Sequence, residues 1–104
     1  MGCRMTKIHE LKILPQFLYS VIKGDKTFEV RKNDRDFEVG DVIRLREWNP
    51  DTQTYGEFDC ECDITYVMNN PEYCKDGYVI LGITHADPMK AVRDLYEWDE
   101  RHNA

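Results

Sequence analysis

Apolar and polar residues change period several times along this 104-residue chain, and each change marks an element. Residues 7–14 (Lys-Ile-His-Glu-Leu-Lys-Ile-Leu) read as a first strand. Pro15 suits the first turn of a helix in which Phe17, Leu18, Val21 and Ile22 share one stripe. Gly24 is a natural stop, with Lys23 and Lys26 near the negative end of the helix dipole. Residues 26–32 alternate again. Phe28 and Val30 fall on one face, expected to be the core face, and Thr27, Glu29 and Arg31 on the other. Asn33 to Gly40 makes a polar turn, and Asp41 to Trp48 a third strand with Ile43 and Leu45 inward.

Asn49-Pro50-Asp51-Thr52 supplies turn chemistry, and Gly56 closes that loop. Glu57 to Val67 reads as a long strand pairing back on the third. A loop from Asn69 reaches Gly77, and Tyr78 to Ile83 is so apolar that it is expected to be central and covered on both faces. Asp87-Pro88 caps a last helix running to about His102, with Met89, Val92, Leu95 and Tyr96 as its packing stripe. Five or six strands and two helices make an α+β domain. Residues 1–6 are expected to be a flexible N-terminus, 7–86 the domain, and 87–104 a helix packed on it.

Net charge is −6, which argues against a surface built wholly for polyphosphate. The charge is uneven: residues 1–35 hold eight Lys/Arg against four Asp/Glu, and residues 36–104 hold six against sixteen. A local basic face on an acidic body can still meet nucleic acid, although chance clustering on a solvated surface gives the same count. No run approaches a membrane span and no signal-peptide core follows the start, so the cytoplasm is the expected compartment, with no membrane contact. Met1-Gly2-Cys3-Arg4-Met5-Thr6 fits an acylation pattern, yet Met5 serves equally well as the original start, and an unmodified end is expected. Of the four cysteines, alternation places Cys60 and Cys62 on one apolar face with Phe58 and Ile64, as small hydrophobes. A metal site would need Cys3, Cys74 or His85 as further ligands without any Cys-x-x-Cys pair, and no metal is expected.

Thr27, Glu29 and Arg31 form either a surface ladder of weak ion pairs or the mouth of a site. In the second reading Lys26 and Arg31 meet an anion and Glu29 a base edge or amine. Trp48 and Tyr55 flank a turn beside Arg46, which is either a stacking platform for an unpaired base or a shield for the end of the core. His9 is either an acid/base group or a satisfied core histidine, and Lys12 shares the ambiguity. No Gly-rich phosphate loop, Ser-His-Asp arrangement or His-Glu-x-x-His motif is present, so no cofactor is implied.

Gly24-x-Lys26-Thr27-x-Glu29-x-Arg31, followed by Val39-Gly40-Asp41, resembles the signature of ASCH domains of the PUA-like superfamily. Within that group the chain is similar to a family of short bacterial and phage proteins. The resemblance runs through His9-Glu10-Leu11-Lys12, Phe28 to Arg35, Arg46-Glu47-Trp48 and Gly77 to Gly82. It implies a small PUA-like β-barrel of mostly antiparallel strands, and RNA binding. A few relatives resemble amidohydrolases that deacylate modified cytidine on a Lys-Thr-x-Thr strand. Here Lys26 and Thr27 match, but Glu29 replaces the second threonine, so a hydrolase would need Glu29 as general base.

The expected function is therefore binding of RNA or a nucleotide-like ligand through Lys26, Thr27, Glu29 and Arg31, supported by Lys12, Lys32, Arg35, Arg46 and Trp48. One alternative is a hydrolase of a modified nucleoside using Lys26 and Glu29, with Thr27 beside them. Another is a phage-type interaction module that docks its acidic body and last helix on a host protein.

Overall fold

In the computed structural model, which describes residues 5–102, strand β1 (Ile8–Ile13) turns His9, Leu11 and Ile13 inward. The acylation pattern at residues 1–4 lies outside the described residues. Pro15 opens helix α1 (Pro15–Lys23), which buries Leu18, Val21 and Ile22. Gly24 ends it at φ 85°, a left-handed conformation that an L side chain resists, and the Asp25 and Lys26 N–H groups close on the Ser20 carbonyl. Strands β2 (Phe28–Lys32), β3 (Val42–Asn49), β4 (Thr54–Met68) and β5 (Tyr78–His85) follow, and helix α2 (Pro88–His102) comes last.

The five strands form one sheet in the order β1-β3-β4-β5-β2, with β1 parallel to β3 and every other pair antiparallel. Its 15-residue β4 is what curls it: β4 pairs with β3 through Asp63, then with β5 from Cys62 onward. Bulges at Glu47 and Thr65 sharpen the coil. At the first, the Glu47 carboxylate occupies the space a side chain at Gly56 would need, and accepts the Phe58 N–H at 3.1 Å. The result is a small α+β half-barrel with α1 against its concave face and β1 and β2 as its two edges.

The core joins the α1 stripe to Ile43, Leu45, Ile64, Val79 and Leu81, and includes Cys60 and Cys62 as strand alternation predicts. Those two sulfurs lie 3.8 Å apart. The contact with Cys60 and burial both push the Cys62 thiol up, which keeps it protonated and unreactive. His9 is a satisfied core residue. It pairs with the fully buried Asp41 at 3.0 Å and packs against Phe37, while Asp41 also accepts the Glu38 and Lys7 backbone N–H groups. That pair holds the turn between β2 and β3 against β1. Among the described residues no helix is long and apolar enough to cross a membrane.

Three expectations are corrected. Strand β2 is turned over: Glu29 is 3% exposed, whereas Phe28 and Val30 are 47% and 51% exposed. Alternation defines two faces but not which one is inward, and here ion pairs make the polar face the buried one. Strand β5 is covered on one face only. Val79, Leu81 and Ile83 are buried, while Tyr78 and Ile80 are half-buried, because no helix lies on the outer side and cross-strand neighbours such as Val30 and Met68 are their cover. Helix α2 packs through Ala91, Leu95 and Trp98, leaving Met89 and Tyr96 at 70% and 73% exposure. Its rotation is set by Trp98, which packs at a tilt against Phe58 and Tyr19 at 4.7 and 5.5 Å, and by Lys90, which reaches Asp59 on β4 at 3.1 Å.

Trp98→Ala is expected to cost about 3–5 kcal/mol, against about 0.5 kcal/mol or less for the exposed Tyr96→Ala. Urea denaturation measures both, and equal losses would refute this account of α2. A second expectation concerns acid. Burial pushes the Asp59 carboxyl up, but hydrogen bonds from Arg44 and Lys90 outweigh it and leave the pKa lowered. The folded state therefore prefers ionised Asp59. That stability is present above the unfolded pKa of about 3.9 and fades as pH falls through the lower folded value. Asp59→Asn should flatten the loss of stability between about pH 4 and pH 2; an unaltered acid limb would show that other carboxylates set it.

Candidate functional site

The open edges of β1 and β2 face each other across the mouth of the half-barrel, and strand geometry decides which groups they present. The Lys7 carbonyl accepts the Val42 N–H on the β3 side, so residues 8, 10 and 12 turn their backbone groups to the open side. On β2 the Thr27 carbonyl accepts the Ile83 N–H, so residues 28, 30 and 32 do the same. Cationic side chains cover several of these carbonyls. Arg31 donates to Lys12 at 2.9 Å, Arg35 to Glu10 at 3.0 Å, and Lys26 to Phe28 at 2.7 Å. Arginine thus spans the seam, with side-chain bonds from β2 and its following turn to β1.

Glu29 is the centre of this arrangement. Its Oε1 accepts from Arg31 Nε and Nη2 at 3.0 and 2.8 Å, and its Oε2 pairs with the Lys26 ammonium. A buried carboxylate is costly unless cations meet it, and two cations with one anion leave a single net positive charge. Three of Arg31's five N–H groups are used, and two of Lys26's three, so three donors remain for a ligand.

The trio and Lys12 line a cleft of about 360 Å³ whose remaining wall is apolar: Ile13, Leu14, Phe17, Phe28 and Val30. Because β2 is an edge strand, both of its faces reach this space. A second, more polar cleft of about 510 Å³ lies on the other side of the Arg31–Lys12 bridge and takes in Lys32, Arg35 and Tyr55. Beside it Lys12 sits 3.9 Å over Trp48, Arg46 sits 3.8 Å over Tyr55, and the two rings meet edge-on at 5.0 Å.

The structure therefore brings Lys26, Glu29, Arg31 and Lys12 together at one cleft and gathers Lys32, Arg35, Arg46 and Trp48 around the next. Thr27 is not with them. It lines a neighbouring pocket of about 150 Å³ with Cys62 and His85, which Lys26 also lines. The apolar wall was missed, since Phe28 and Val30 were assigned to the core. The available signal was Lys26-x-x-Glu29-x-Arg31, where an acid flanked by two bases on a strand can neutralise itself and turn inward. Among the described residues no cluster of three or more His, Cys, Asp or Glu is arranged to hold a metal ion.

Fold and seam together define a small α+β half-barrel with a cationic, part-apolar cleft between its edge strands. Residues 8–83 match the family model described as "Domain of unknown function (DUF3850)", and the chain belongs to that family. It is also similar to the "Uncharacterized 12.9 kDa protein in GpA 3'region" of Escherichia phage P2, at 38% identity over 77 residues, 74% of this chain and 68% of the phage protein. The family match spans β1 and most of β5, so it contains both clefts' strands, whereas α2 lies beyond it.

Arg31→Ala strips Glu29 of one cation and uncovers the Lys12 carbonyl, and is expected to cost about 2–3 kcal/mol. These bonds make Arg31 structural as well as a candidate ligand group. Arg35→Ala, which removes one exposed bond, should cost about 1 kcal/mol or less. Chemical denaturation of both variants decides; equal effects would show that the Glu29 clamp does not hold the seam.

Proposed function

We propose that this chain is an ASCH-type, PUA-like domain that binds RNA or a nucleotide-like ligand in the cleft between β1 and β2. The observation that carries the reading is the Lys26–Glu29–Arg31 clamp at the mouth of an apolar-walled cleft. A base or sugar packs against Phe17, Phe28 and Val30, while a phosphate oxygen takes the spare N–H groups of Arg31 and Lys26. Glu29 itself does not read the ligand. Its oxygens are occupied, and its part is to hold both cations in place before the ligand arrives. The cytoplasm, where such ligands are met, is the compartment that goes with this function.

A hydrolase of a modified nucleoside is the second reading, favoured by the direct contact of Lys26 and Glu29 beside the cleft. Thr27 stands beside that pair, in a neighbouring pocket that Lys26 also lines.

Glu29→Gln separates the two. In a binder the amide still accepts from Arg31, and affinity measured by calorimetry against ribonucleotides and short RNAs is expected to stay within about tenfold of wild type. In a hydrolase, turnover of acylated cytidine followed by mass spectrometry should fall by roughly two to four orders of magnitude with substrate binding retained. Circular dichroism confirms that the variant is folded. Absence of any binding or turnover by the wild-type protein across these ligands would end both readings.

A further inference from the structure

We infer that the two clefts form one track, and that its occupant is a single-stranded stretch of nucleic acid several nucleotides long rather than a lone nucleotide or a duplex. The inference rests on the nucleotide reading of the first cleft and extends it. The two clefts share Lys12 and Arg31, whose bridge separates them without closing either. Cations recur along the whole path and outnumber the acids: Lys12, Lys26 and Arg31 against Glu29 in the first cleft, then Lys12, Arg31, Lys32 and Arg35 against Glu10 and Asp34 in the second. On a chain of net charge −6 this is where positive charge collects. A lone nucleotide has use for the first group only.

The spread of cations points the same way: the clamp leaves one net positive charge in the first cleft, and Lys12 adds a second on a wall that both clefts share. Among the described residues the exposed Lys32 ammonium makes no hydrogen bond or ion pair, so it is available for a second phosphate. The Arg46 guanidinium 3.8 Å over the Tyr55 ring, with Trp48 against the same ring, offers a platform for an unpaired base at the far end of the track. A duplex keeps its bases stacked on one another and cannot use such a platform.

The test is a length series read by fluorescence anisotropy: a ribonucleoside monophosphate as competitor, then RNA and DNA hexamers of one sequence, then the corresponding duplexes. At least one hexamer is expected to bind tenfold or more tightly than the monophosphate. The slope of log K against log salt should approach about −1.4, since two phosphates are engaged and each contributes about −0.7 for single strands. Lys32→Glu and Trp48→Ala should each weaken the hexamer about tenfold more than they weaken the monophosphate. Should Trp48→Ala fail to fold, Lys32→Glu, at an exposed side chain, supplies the comparison on its own. Equal affinity for monophosphate and hexamers overturns the inference but leaves the nucleotide reading intact. Duplex binding as tight as single-strand binding also overturns it. Binding of neither monophosphate nor hexamer defeats both.

Discussion

A carboxylate taken out of water costs several kcal/mol unless cations meet it, and the seam of this half-barrel is arranged around meeting that cost at Glu29. Arg31 and Lys26 satisfy both of its oxygens. The same two cations then reach across to edge carbonyls, Arg31 to β1 and Lys26 to β2's own Phe28. One ion-pair cluster therefore fixes the inward turn of β2, the spacing of the two edges and the donors left facing the cleft. Removing any member changes all three.

The seam also answers a general problem of open sheets. Unpaired edge strands invite pairing with other chains, and proteins blunt them with charge or cover. Here Arg31 and Arg35 cover two β1 carbonyls with side chains instead of a sixth strand, which leaves the edge blocked to strand addition yet open to small polar groups. Phe28 and Val30, displaced to the outer face by the inward turn of Glu29, become the apolar wall of that opening. Structural protection of an edge and construction of a binding cleft are in this protein the same set of bonds.

The family match ends within β5, while α2 attaches through Trp98 and the Lys90–Asp59 contact. The helix is far from idle energetically, because Trp98 fills the space between Phe58 and Tyr19. Its attachment also draws Asp59 into a network with Arg44, which pairs in turn with Glu10 on β1. Stability of the seam's outer side is thereby linked to a helix that contributes no residue to either cleft.

What the sequence determined by itself is the run of elements and much of the core. Pro15 and Gly24 bound α1 through backbone constraints that act locally, and alternation put Ile43, Leu45, Cys60 and Cys62 on buried faces because their polar neighbours had nowhere else to go. The residues of the cleft were legible as well, since Lys26, Glu29 and Arg31 stand together in one short segment. Their orientation was not. Alternation is symmetric between faces, and hydropathy chose Phe28 and Val30 for the core because it scores a carboxylate without its partners. Only tertiary structure, by setting Arg31 and Lys26 against Glu29, made the charged face the cheaper one to bury. The same holds for α2, where the apolar stripe through Met89 and Tyr96 lost to a face whose Ala91 permits close approach and whose Trp98 fills a space formed by Phe58 and Tyr19, residues distant in the chain. Periodicity is a property of one segment, whereas the direction it faces is decided by the energy of contacts with all the others.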